Sequence, residues 1–222
     1  MTGRLRQIKT LCIYGCGGMG REVADLSHKI GKWQKTIFVV DSVANRVVDG
    51  NKVYAFKEIV KQFENAGLEF IVAVGEPALR KSLYEKLDAH KFNYIKFMAP
   101  GFVLSRLSSV AAGTIIHTGV VATVNVHIEK GCLINTQVAI GHDVTIGEYS
   151  VVSPNATIGG NVNIASGCYL GSGAIIRNGI NIGKNSIIGM GAVVLEDVEA
   201  NSVMVGNPAR FLRKNSDKKV FR

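Results

Sequence analysis

A chain of 222 residues with 47% hydrophobic content allows one or two packed domains, and its formal charge of +9 calls for a solvated basic surface or small polyphosphate ligands. Nucleic acid is disfavoured, because no aromatic residues interleave with the basic ones and no recognised binding motif occurs, although the stretch Arg210 to Arg222 holds six basic residues against one Asp. Four cysteines without a C-x-x-C pair argue against structural zinc or a disulfide framework, and no run of about eighteen apolar residues or secretory signal occurs, so a soluble cytoplasmic protein without membrane insertion is expected.

The first hundred residues alternate strands and helices. Leu11 to Tyr14 reads as a short buried strand, followed by Gly15-Cys16-Gly17-Gly18-Met19-Gly20 and an amphipathic helix carrying Val23, Leu26 and Ile30 on one face. Ile37 to Val40 is a second strand ending at Asp41, Phe56 to Ala66 a helix, Phe70 to Val74 a strand ending at Gly75, and Pro77 to Ala89 a helix. Asn93 to Met98 is expected as a last strand before Pro100 breaks the pattern. This alternation predicts a small three-layer α/β domain with a parallel sheet. Its glycines follow a strand, open a helix and precede an acid by about twenty residues, the spacing of a phosphate-cradling loop. A tight strand-to-helix turn needs the same glycines. The domain has room for one mononucleotide half, not for a complete dinucleotide fold.

From Leu104 to Ala200 every sixth residue is apolar, and a second, mostly small phase runs four residues later from Ser108 to Met204 with no insertion. A fixed six-residue period belongs to a parallel β-helix in which three hexads make one triangular coil, so a residue lies beneath its eighteenth successor at about 4.8 Å. Gly167, Gly173, Gly179 and Gly191 fall near corners, where a positive φ is inexpensive for glycine. Helical spacing of three and four fits nowhere in this stretch. Cys132 and Cys168 occupy the small inward phase, and the expected boundary places one domain at 1–100 and the other at 101–222.

Among five histidines, His28 and His90 lie at surface positions of the first domain, and His117 and His127 flank early coils with no acid beside them. His142 differs, because Asp143 follows it at a corner in Asn135-Thr136-Gln137-Val138-Ala139-Ile140-Gly141-His142-Asp143. A carboxylate beside imidazole can orient the ring, fix its tautomer and raise its basicity, as a general base requires. A solvated corner histidine is the other reading. Eighteen residues beyond His142 lies Gly160, whose backbone is expected to sit next to the ring.

The hexad register, with the closing run Val205-Gly206-Asn207-Pro208-Ala209-Arg210, resembles the left-handed β-helix of the hexapeptide-repeat acyltransferases. Fused to a short nucleotide-binding domain, it resembles more narrowly the bacterial N-acetyltransferases of nucleotide-linked 4-amino-4,6-dideoxy sugars and the related sialic acid O-acetyltransferases. The resemblance implies acetyl-CoA as co-substrate, no metal, a homotrimer and a UDP- or dTDP-linked amino sugar from bacterial surface glycan synthesis such as O-antigen. By position it implies His142 as base with Asp143 and Asn135 in support. Sugar-nucleotide contacts fall at Gly17, Gly18, Met19, Asp41, Ser42 and Gly75, with Met19 where relatives often have His. Acetyl-CoA contacts fall at Val151, Gly160, Ser172, Gly189, Met190 and Gly191. The Gly160 N–H then either meets the thioester oxygen or belongs to one more corner glycine. An O-acetyltransferase and a non-enzymatic sugar-nucleotide-binding protein are the rival functions. A zinc hydratase on the same fold is disfavoured, since the H-x4-H pair is missing.

Overall fold

The computed structural model describes residues 9–42, 46–62 and 67–221. They divide into two compact units, one of Met1–Val74 with Leu83–Ile95 and one of Gly75–Ser82 with Lys96–Arg222. Among the described residues no helix is long and apolar enough to cross a membrane.

The first unit is built on β1 (Thr10–Tyr14), which pairs in parallel with β2 (Lys35–Val40) and β5 (Leu68–Val72). Leu11, Cys12 and Ile13 are fully buried, as an unbroken apolar run requires when both faces of a parallel sheet are covered. β3 (Arg46–Val48) and β4 (Asn51–Ala55) extend the sheet to the order β3-β4-β2-β1-β5, with β4 parallel to β2 and β3 antiparallel to β4. This hairpin was not among the sequence expectations, yet its turn is Asp49-Gly50 with φ 45° and 77°, a two-residue connection of the kind Asp-Gly favours. The helices are α1 (Gly18–Ile30), α2 (Phe56–Gln62) and α3 (Pro77–Ala89). Helix α1 stops at Gly31, whose left-handed φ of 67° lets its N–H reach Ser27 O at 3.1 Å. The expected end of α2 at Ala66 lies outside the described residues. The strand expected from Asn93 is reduced to one bridge between Tyr94 and Phe70, and Phe97–Met98 instead forms the first rung of the second unit.

That unit is a left-handed β-helix. Its rungs are two residues long and stack eighteen apart, as in the ladder Ala122, Ile140, Ile158, Ile176, Val194. The second residue of each rung points inward and joins Val120, Val126, Cys132, Val138 and their successors in one apolar core. Burial pushes the Cys132 and Cys168 thiols up to about 12, so both behave as small hydrophobes. Every sixth residue from Gly113 to Gly191 has a positive φ and turns one corner, with Asn125, Gln137, Asp143, Tyr149, Asn155, Asn161 and Asn185 sharing the task with glycine. The glycines directly after the inward aliphatic have another job. A Cβ on Gly171 would stand 2.6 Å from Met190 N, and one on Gly183 2.3 Å from Ala200 N, so those positions admit the next coil's backbone.

The three faces differ in what they present. Outward from one point Ile115, Leu133, Val151 and Ile187, all buried; from the second Ser109, His127, Thr145, Asn163 and Asn181; from the third Val103, Val121, Ala139, Thr157, Ile175 and Val193. We call these the covered, polar and apolar faces. Arg80, fully buried in the first half of α3, donates from Nε to Gly131 O at 2.8 Å and from Nη2 to Cys132 O at 3.1 Å. The last coil is closed by an antiparallel hairpin of Ser202–Val205 and Arg210–Lys214. Beyond it the Glu76 carboxylate accepts the N–H groups of Val220 and Phe221.

Gly183→Ala is expected to lower stability by about 1–3 kcal/mol through overpacking against the next coil. Asn185→Gly, at a corner already left-handed, is expected to cost less than about 1 kcal/mol. Thermal and urea unfolding of both variants measures the contrast.

Candidate active site

The rung Ala139–Ile140 leaves the apolar face, passes Gly141 and His142, and turns at Asp143 with φ 58°. Asp is one of the few non-glycine residues that takes this left-handed conformation readily. The turn brings its carboxylate beside the preceding imidazole, with His142 Nδ1 2.8 Å from Asp143 Oδ2. The other oxygen, Oδ1, accepts from Asn125 Nδ2 at 2.7 Å, one coil below. These bonds, from Asn125 first and His142 second, hold the Asp143 carboxyl below its usual range. The side chains of both His142 and Asp143 are about half exposed, and the only hydrogen bond of the ring among the described residues is the one at Nδ1. The ring lies on Gly160, as the eighteen-residue step implies: a Cβ there would stand 2.6 Å from His142 Nε2 and 2.7 Å from Cε1. Only glycine leaves the imidazole this place.

The other expected residues of the prism gather elsewhere. Asn135 is buried and donates from Nδ2 to Val152 O at 3.3 Å. It lies before the corner at Gln137, between the covered and apolar faces, whereas His142 lies at the next corner, between the apolar and polar faces. One prism face of six residues, at most about 20 Å of extended chain, separates them. Ser172, Gly189, Met190 and Gly191 share the Asn135 corner; Met190 is 79% exposed and Gly191 has φ 65°. Val151 is buried on the covered face and offers no accessible side chain in the single chain. Within one chain, Gly160 alone of the expected acetyl-CoA residues is at the His142 corner.

In the first unit the glycine loop divides its labour. Gly15, at φ 114°, would place a Cβ 2.8 Å from Ala73 O, and a Cβ on Gly20 would meet Gly15 O at 2.1 Å. Those two glycines make the turn and the helix–strand contact possible. Gly17 and Gly18 face open space. Helix α1 starts here with Gly17 as its N-cap, no side-chain cap and no acid in its first turn, which leaves N–H groups and a positive dipole end for an anion. Met19 is half-buried. Asp41, at the end of β2, accepts from the Tyr14 hydroxyl and is paired with the Lys86 ammonium, which also sits 4.6 Å above the Phe56 ring. Partial burial works against the Asp41 charge, but bonds from Lys86 and Tyr14 outweigh it and hold the carboxyl low. Burial first, and Asp41 second, push the Tyr14 hydroxyl well above the ordinary phenol range. Ser42 is exposed beside Asp41. Gly75 belongs to the second unit, where the Phe221 ring would lie 3.8 Å from its Cβ.

Lys86, Tyr14 and Asn125 were not expected from the sequence. For Asn125 a signal existed, since it stands eighteen before Asp143; for Lys86 none did. His117 is buried one coil below Asn135, and burial lowers its pKa. Among the described residues no three His, Cys, Asp or Glu side chains gather where they could hold a metal ion.

Comparison with known proteins gives two domain matches, the PglD N-terminal domain at residues 10–87 and the bacterial transferase hexapeptide (six repeats) at 125–160. No curated protein matches by sequence search. Among solved structures, the acetyltransferase domain of PglB from Neisseria gonorrhoeae is similar, with 25% identity, 92% of this chain and 100% of that chain covered, and a TM-score of 0.87; it has also been solved with acetyl coenzyme A. PerB from Caulobacter crescentus, solved with CoA and GDP-perosamine, is 27% identical over 93% of this chain and 98% of its own, at a TM-score of 0.86. WeeI from Acinetobacter baumannii is 26% identical over 92% and 100%, at 0.87. With a PglD N-terminal domain leading into a hexapeptide-repeat prism, the chain is an acyltransferase that resembles the left-handed β-helix sugar acetyltransferases.

Proposed function

We propose that this protein transfers the acetyl group of acetyl-CoA to the 4-amino group of a nucleotide-linked 4-amino-4,6-dideoxy sugar, in the cytoplasm, for bacterial surface glycan synthesis. The observation that carries this reading is the half-exposed His142 imidazole, bonded through Nδ1 to Asp143 and with no hydrogen bond at Nε2 among the described residues. In the proposed reaction Nε2 takes a proton from the sugar amine as its nitrogen attacks the acetyl carbonyl. A C–N bond forms, the C–S bond breaks, and coenzyme A leaves as a thiol by recovering the proton. No acyl-enzyme is needed. The Gly160 N–H is the proposed donor to the developing oxyanion. PerB, named as binding CoA and GDP-perosamine, supports both the donor and a nucleotide-linked amino-sugar acceptor, and adds GDP to the UDP and dTDP expected from the sequence.

The division of labour assigns residues 1–100 to the sugar nucleotide, through the open N–H groups at Gly17 and Gly18, the side of Met19, the Asp41–Ser42 strand end and Gly75. Residues 101–222 hold the base and acetyl-CoA, the latter at Val151, Gly160, Ser172, Gly189, Met190 and Gly191. The formal charge of +9 suits both polyphosphates. A homotrimer completes the site. Val103, Val121 and Ile175 are 59%, 43% and 45% exposed on the apolar face, an area that calls for a partner. Its two edges carry the His142 corner and the Asn135–Ser172–Met190 corner, so packing these faces about a threefold axis sets one chain's base beside the next chain's acetyl-CoA residues.

Incubation with acetyl-CoA and a panel of UDP-, dTDP- and GDP-linked 4-amino sugars, with free sialic acid as comparison, is expected to release thiol only with an amino sugar. Acetylation of sialic acid alone would overturn the reading. His142→Ala is expected to lower kcat by about 10²–10⁴ with coenzyme A binding retained; near-normal turnover counts against the base. Ile175→Glu is expected to convert the trimer to monomers in sedimentation and to abolish transfer, and an intact trimer would remove the apolar face from the interface.

A further inference from the structure

The His142–Asp143 pair does not end at Asp143. Asp143 Oδ1 takes Asn125 Nδ2 at 2.7 Å, Asn125 Oδ1 lies 3.0 Å from His127 Nε2, and His127 Nδ1 lies 2.9 Å from Ser109 Oγ. We propose that Asn125 and His127 are positioning residues of the transfer reaction: with Ser109 they form one directed string of hydrogen bonds that fixes the Asp143 carboxylate and, through it, the tautomer of His142. The inference rests on His142 being the base.

The direction of the string follows from one fact, that an ionised carboxylate only accepts. The Asn125 group facing Asp143 is therefore its NH₂, which turns the amide oxygen toward His127. An amide oxygen needs a donor, so His127 Nε2 carries a proton, and in the neutral ring Nδ1 accepts from the Ser109 hydroxyl. At the other end Asp143 Oδ2 accepts a hydrogen bond from His142 Nδ1–H, which leaves the lone pair on Nε2. Protonation of His127 adds a donor toward Ser109 and does not turn the Asn125 amide. The rungs beside His127 on the polar face present Ser109 and Thr145, neither of them charged.

The fold makes the string rather than chance side-chain positions. Asn125 and Asp143 are successive left-handed corners, each with φ 58°, so their side chains leave the backbone in the same direction, one coil apart. Ser109 and His127 are paired rungs of the polar face. The bond from Asn125 Nδ2 at 2.7 Å ties the carboxylate to the coil below, and with the bond to His142 it holds the Asp143 carboxyl below its usual range. Without Asn125 the half-exposed carboxylate can rotate toward water and release the ring.

The test uses the full-length protein with Asn125→Ala, His127→Phe and His127→Gln. Asn125→Ala is expected to lower kcat about tenfold, the effect of one lost hydrogen bond to a charged group, with KM for both substrates unchanged. His127→Phe is expected to lower kcat about threefold, and His127→Gln to recover most of that loss, because its amide can donate where Nε2–H did. In histidine-labelled protein, ¹⁵N shifts are expected to show His142 as the Nδ1–H tautomer in the wild type and as a mixture of tautomers in Asn125→Ala. Unchanged kcat in Asn125→Ala, a change in KM alone, equal losses with Phe and Gln at 127, or one tautomer throughout would each overturn the string. A wild type that acetylates no amino sugar would sink the functional reading instead, and the tautomer measurement would still decide whether the string fixes the ring.

Discussion

The coil-to-coil hydrogen bond is the constraint on which the rest of the molecule depends. Bonds such as Val121 N to Val138 O at 2.9 Å and Gly141 N to Ile158 O at 2.8 Å lock each hexad onto the one above. Once that ladder is fixed, the neighbours of any side chain are set by arithmetic. His142 lies on Gly160, Asp143 stands above Asn125, and the inward Ile and Val residues meet their own kind along the axis. The His142–Asp143 pair sits where the ladder bends, at the left-handed corner that Asp143 turns.

The prism was legible in the sequence because its period is short, uninterrupted and tied to one register. The His142–Asp143 pair was legible for the same reason, since a corner position can be counted from the repeat. Asn125 could have been found by the same count, but not the choice of amide orientation that makes it a donor. Asn135 is placed differently within one chain. Seven residues from His142 in sequence, it turns up on the previous corner, because in a triangular coil a short separation along the chain crosses a face, and proximity comes instead from steps of eighteen.

In the first unit the strands and the glycine loop were readable from buried apolar runs followed by punctuation. The β3–β4 hairpin was overlooked although Asp49-Gly50 marks it. The Asp41–Lys86 pair could not be read, because it depends on how far along the sheet α3 is set, and that offset is decided by packing of Tyr84 and Leu87, both fully buried, rather than by any local pattern. Arg80, earlier in the same helix, belongs to the second unit, where it donates to Gly131 O and Cys132 O.

The two classes of glycine in the prism have a consequence for how such a chain can change length. Removing or duplicating eighteen residues returns every corner to its own edge and every close-packed glycine to a backbone that needs it, so the rod can grow or shrink by whole storeys. Removing six instead turns everything downstream by a third of a revolution and slides Ser172 and Met190 off the edge they share with Asn135. The span of the rod can thus be set in increments of one storey, while the His142–Asp143 pair stays on an unaltered floor.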